Sequence, residues 1–159
     1  MILYGVVVCL HVLAAAVWIG SMAFFVLVVV PVMRRAENRA AAPRLLQALG
    51  VRFRALGWVS LGVLVATGVV NLHFHRITVS YFLSRDFWST SFGRAFAYKL
   101  SFVVAAIGVA VIHEILTPTD PAAPVSARRR RQASWSGRLI LAFSLGALYF
   151  AVALVRGLA

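Results

Sequence analysis

Thirty-one consecutive residues, Ile2 to Val32, pass without a single charged side chain. A stretch of that length decides the solvent before it decides the fold. In lipid no water is available to backbone N–H and C=O groups, so only helices and closed barrels can cross. A crossing helix needs roughly 20 mainly apolar residues. Three later segments also qualify, near 55–74, 95–116 and 139–158. Their apolar runs are continuous rather than alternating, which reads as helix and not as barrel strand. Composition agrees: 62% of residues are hydrophobic and only 13% are charged, against about a quarter charged in soluble domains. The expectation is an all-α integral membrane four-helix bundle. A single domain over 1–159 would have helices near 2–32, 55–74, 95–116 and 139–158, and connections at 33–54 and 117–138. The first segment lacks a basic leader and outruns a signal-peptide core, so it reads as a span.

Arginines orient this arrangement. Arg34, Arg35, Arg39, Arg44, Arg52 and Arg54 fall in the first connection, and Arg128 to Arg131 with Arg138 in the third. The second carries fewer, namely Arg76, Arg85 and Arg94, with Lys99 just inside the third helix. The positive-inside rule then puts the first and third connections in the cytoplasm and both termini outside it. The reading is a multi-pass protein of a bacterial-type cytoplasmic (inner) membrane. Its net charge of +12 serves topology and attraction to anionic lipid heads, and calls for no nucleic acid. The lone Cys9 cannot form an intrachain disulfide.

Ionisable groups inside a bilayer are costly and mark functional positions. His11 lies about 10–14 Å in from the outer end of the first helix at 1.5 Å per residue. His73 and His75 sit at the outer end of the second helix. Being two residues apart they point to different sides, so at most one faces the bundle. His11, Ala14, Ala15, Trp18, Met22 and Val29 share a stripe, and the small residues below His11 leave room beside it. The bland alternative makes Trp18 packing and bonds His11 to a nearby carbonyl. His113 and Glu114 read as an interfacial helix end at the inner side.

Two imidazoles on facing helices are a standard axial pair for a b-type haem. His11 with His73 or His75 would supply them, and Arg76, Arg94 and Lys99 would meet the propionates. Copper is the second guest, since imidazole and sulfur ligands suit it, with His11, His73, His75, Cys9 and Met1 in the outer half. Zinc hydrolysis is disfavoured, because the outer side holds one carboxylate, Asp86, and no HExxH.

"HVLAAAVWIGSMAFFVLVVVPVMRR" resembles the first helix of the CopD copper-resistance membrane domain: a His, a Trp seven residues on, a following Gly and a later Pro. "RFRALGWVSLGVLVATGVVNL" resembles that family's next helix, "FGRAFAYKLSFVV" its third, and "RLILAFSLGALYFAVALVRG" is compatible with its fourth. The resemblance implies copper uptake or resistance at the cytoplasmic membrane. The His-to-Trp spacing and Lys99 also resemble HemJ, a membrane protoporphyrinogen oxidase that uses haem b, although its helix-three histidine is Ala97 here.

The sequence therefore reads as a haem b-binding protein with a bis-histidine site near the outer face. It would transfer electrons between a membrane reductant such as a quinol and an acceptor such as a periplasmic redox protein. Any enzymatic activity would be that of an oxidoreductase. Copper binding or transport is the second reading, and a cofactor-free structural or assembly subunit the third. A homo-oligomer or a larger membrane complex is compatible with each. On the haem reading, a reduced-minus-oxidised spectrum shows a sharp alpha band, lost in His11→Ala and in only one of His73→Ala and His75→Ala. Stoichiometric copper without that band is the expectation of the second.

Overall fold

Helix accounts for nearly every residue described in the computed structural model, which covers residues 2–75, 77–117 and 126–156. Helix α1 spans Ile2–Met33, α2 Ala42–Phe74, α3 Val79–Leu83, α4 Arg85–Ser89, α5 Ser91–Leu116 and α6 Ala127–Arg156. Four stretches, α1, α2, α5 and Arg131–Arg156 of α6, are long and apolar enough to cross a membrane. There is no strand among the described residues. The chain is an all-α, multi-pass membrane protein.

Two helices start well before hydropathy places them. Residues 42–54 and 127–138 read as connections in the sequence and are helical in the structure. "PRLLQALGVRFRALG" is too charged to read as a span, yet Arg, Leu, Gln and Ala are all good helix formers. At 33 residues, α2 is roughly 50 Å long. That exceeds a hydrocarbon core of about 30 Å, so the Arg44 to Arg54 end extends into the head-group zone or beyond. Between α1 and α2 only a short link remains, with a 3-10 turn at Ala36–Asn38. There the Asn38 Nδ2 donates to Val32 O at 2.9 Å, satisfying one carbonyl of the α1 end.

The described residues divide into two compact units, α1–α2 and α3–α6. In the first unit α1 and α2 run antiparallel. Tyr4 meets Phe74 (ring centroids 5.4 Å), and Phe24 and Phe25 meet Phe53 at 6.4 and 5.3 Å. Helix α1 is not uniform: Phe25–Val29 forms a π turn, and Val30 N–H donates to Phe25 O. Pro31 explains it. Proline has no N–H to give to the carbonyl four residues back and its ring crowds that oxygen, and a widened turn relieves both problems.

In the second unit α5 and α6 are also antiparallel. Tyr98 and Phe102 stack on Phe150 at 5.3 and 5.7 Å. Phe102 lies in a notch at Gly146, where an added Cβ would come within 2.5 Å of its ring. Helices α3 and α4, not foreseen from sequence, are single turns. Three hydroxyls six residues apart cap the successive helix starts: Thr78, Ser84 and Thr90 accept from the N–H of Tyr81, Phe87 and Gly93 at 3.3, 3.3 and 2.9 Å. These caps hold Phe87 at 1% exposure, ringed by Tyr81, Phe82, Trp88, Phe92 and Phe96 with centroids 4.9 to 6.1 Å away.

The Phe87 carbonyl leaves no space for a side chain at Gly93. Gly93→Ala must push α4 off the first turn of α5, at a cost of about 1–3 kcal/mol. Gly108→Ala meets nothing within 4 Å and should be neutral or stabilising. Melting temperatures of the two variants in detergent, followed by far-UV circular dichroism, check the contrast.

Candidate functional site

Between the Phe53 and Phe74 contacts, α2 carries a strip of polar residues on one side. Ser60 and Thr67 are buried, and Asn71 is half-buried. Seven and then four residues separate them, which keeps them on one side of a helix. Lipid offers these groups no hydrogen bonds, so partners have to come from within the protein. Ser60 Oγ donates to Leu56 O at 2.8 Å, and Thr67 Oγ1 donates to Val63 O at 2.6 Å.

His11 of α1 faces this strip. Its Nδ1 lies 2.7 Å from Thr67 Oγ1. A threonine hydroxyl has one proton, and Thr67 gives its own to Val63 O. The bond to His11 therefore requires Nδ1–H as donor and the hydroxyl oxygen as acceptor. That fixes the neutral tautomer with its lone pair on Nε2. A metal-ligating histidine commonly has this wiring, one ring nitrogen donating to a neighbour while the other faces the metal. Two turns along α1, Trp18 is buried at 8% exposure, with Gly57 opposite: an added Cβ there would lie 3.3 Å from Trp18 Cζ3. His11 and Trp18 thus share one face, as the stripe predicted.

The other histidines of the expected cluster are not brought to His11. At the level of His11, α2 presents Thr67. His73 and His75 lie about 9 and 12 Å further along α2, and both are exposed. His75 packs instead on Tyr4, with centroids 6.1 Å apart. Cys9 is exposed, about 200° round α1 from His11. Arg76 and Met1 lie outside the described residues. Arg94 and Lys99 belong to the second unit, where Arg94 Nη1 donates to Ser89 O at 2.5 Å and Lys99 is half-buried. Among the described residues, no three or more of His, Cys, Asp and Glu gather as a metal cluster.

The second unit repeats the device of the first. His113, expected as an interfacial helix end, is half-buried and its Nδ1 lies 2.7 Å from Ser136 Oγ of α6. Ser136 in turn donates to Ala133 O at 3.0 Å. The same proton count makes His113 Nδ1–H the donor. Sequence reasoning missed Thr67, Asn71 and Ser136 as partners. The signal available for the first two was the 60, 67, 71 spacing of polar residues in an otherwise apolar span.

Replacing Thr67 by valine keeps the shape and removes the acceptor. The stranded Nδ1–H should cost about 1–3 kcal/mol, and His11 should no longer hold one tautomer. Histidine 15N shifts in bilayers should show a single Nδ1–H form for the native chain and for Thr67→Ser, and a mixture for Thr67→Val.

Comparison with curated proteins gives no significant match, and neither does comparison with solved structures. The family described as "Copper resistance protein D", CopD, matches residues 47–156, most of the chain and both units in part. The match includes Thr67, Asn71, His73, His75, Arg94, Lys99 and His113, and begins after His11. Four spanning helices and a match over that range make this chain a member of the CopD copper-resistance family of membrane proteins.

Proposed function

We propose that this chain binds copper within the membrane and passes it on, with His11 Nε2 as a ligand and Thr67 as the group that orients it. The observation that carries this reading is the 2.7 Å contact of His11 Nδ1 with a hydroxyl whose own proton is committed to Val63 O. A neutral imidazole with its lone pair fixed on Nε2 suits copper. Family membership supplies the metal. Asn71 adds a second feature. Its Oδ1 is buried and accepts no hydrogen bond, and it lies one turn from Thr67 on the same strip. A buried acceptor of this kind fits a guest that brings a proton donor, such as a water on the ion.

The haem b reading fares differently. A bis-histidine haem needs a second imidazole facing His11, and in this hairpin Thr67 holds that level. His73 and His75 lie about 9 and 12 Å further along α2, so the hairpin offers a haem no second imidazole at the level of His11. Copper here is cargo, and an exchangeable imidazole nitrogen in a polar strip is a place from which it can leave as well as enter.

Titration of Cu(I) from a chromophoric chelator into the protein in nanodiscs tests the assignment. Native protein should take up copper. His11→Ala should lose that uptake, and Thr67→Val should weaken it by about 10–100-fold, the usual effect of removing a group that orients a ligand. Asn71→Leu should weaken it less, and His73→Ala and His75→Ala should leave it unchanged. Uptake that survives His11→Ala overturns the proposal. A sharp reduced-minus-oxidised alpha band lost in His11→Ala would reinstate haem.

A further inference from the structure

The connection from Ile77 to Thr90 is folded, and its packing sets its height. Phe82 and Phe87 both touch Phe96 of α5, with centroids 6.2 and 6.1 Å apart. Phe96 is the sixth residue of α5, about 8 Å along the axis. Helix α5 has 26 residues, roughly 39 Å, against a hydrocarbon core of about 30 Å. The excess is shared between its ends and amounts to a few ångströms at each. The rings of α3 and α4 therefore reach down to the edge of the hydrocarbon, alongside the first turns of a spanning helix.

Two apolar side chains of α3 turn away from this cluster. Val79 and Leu83, four residues apart and so on one side, are 77% and 75% exposed. Ser80 flanks them on α3, about 60° round from Leu83, and Asp86 and Arg94 are exposed as well. Arg85 and Arg94 supply exposed cations on α4 and the first turn of α5. Aromatic side chains with one polar end, here Tyr81 and Trp88, are the residues enriched at membrane–water interfaces.

We infer that α3 and α4 form an interfacial wedge, with Val79 and Leu83 seated among lipid acyl chains and Arg85 and Arg94 at the phosphates of the same leaflet. The partner is lipid and not a second protein because the surface is continuous with a spanning helix and lies at the level where α5 enters the bilayer. Burial of two such side chains at a membrane surface is a standard means of anchoring a short amphipathic segment.

The test uses the full chain in lipid nanodiscs with Cys9→Ser as background. Nitroxides are attached singly at Val79→Cys, Leu83→Cys, Ser80→Cys and Asp86→Cys, and their collisions with oxygen and with a water-soluble nickel chelate are measured. The wedge predicts an oxygen-to-nickel ratio several-fold higher at 79 and 83 than at 80 and 86. Equal, nickel-dominated access at all four places the segment in water and overturns the inference. So does protection of 79 and 83 from both reagents, which would mean that protein covers them. Neither result bears on copper uptake through His11.

Discussion

Lipid offers no hydrogen bonds, and the arrangement inside each hairpin follows from that. A polar side chain in a span is costly unless a neighbour closes it off, and around each half-buried imidazole the neighbours are arranged in a chain with a direction. In the first hairpin the proton path runs from His11 to Thr67 to the Val63 carbonyl. In the second it runs from His113 to Ser136 to the Ala133 carbonyl. Each chain ends on a backbone oxygen of the partner helix, so that no donor along it is left over. The cost of carrying an imidazole in hydrocarbon is thus met locally, and the by-product is a ring held in one tautomer. The bond that makes the histidine tolerable in lipid is also the one that orients its ring.

The two hairpins use the same pair of fasteners in opposite order. In the first, the imidazole clasp lies far from the link between the helices, and the aromatic ring in a glycine notch, Trp18 against Gly57, lies nearer to it. In the second, the clasp lies nearer to the link and the ring in its notch, Phe102 against Gly146, lies further away. A ring against a glycine brings two backbones close and gains dispersion energy where lipid supplies no hydrophobic drive. A clasp fixes register. Both are needed, since smooth apolar helices slide.

The spans were legible because unbroken apolar character over 20 or more residues, in a chain so poor in charge, leaves lipid as the only suitable surroundings. Their starts were not, since arginine is a poor membrane residue and a good helix former, and hydropathy registers only the first property. The single-turn helices α3 and α4 escaped because two turns cannot show a period. At the site, the shared face of His11 and Trp18 could be read from their seven-residue spacing. The partner of His11 could not. An imidazole's neighbour depends on how two helices are set in height, and the pairing of His11 with Thr67 rather than with His73 is a matter of about 9 Å along the axis. Nor could His113 be assigned to Ser136, because the arginine-rich start of α6 has the composition of a loop.

The π turn of α1 has one more implication. A turn that takes in an extra residue shifts everything beyond it by about 100° relative to a regular helix. Residues before Phe25 and residues from Val30 onward therefore belong to two helical wheels drawn out of phase. Extrapolating the His11 stripe past that point misassigns faces, and an alanine or leucine scan of α1 would reveal the slip as a break in its periodicity between Phe24 and Val30.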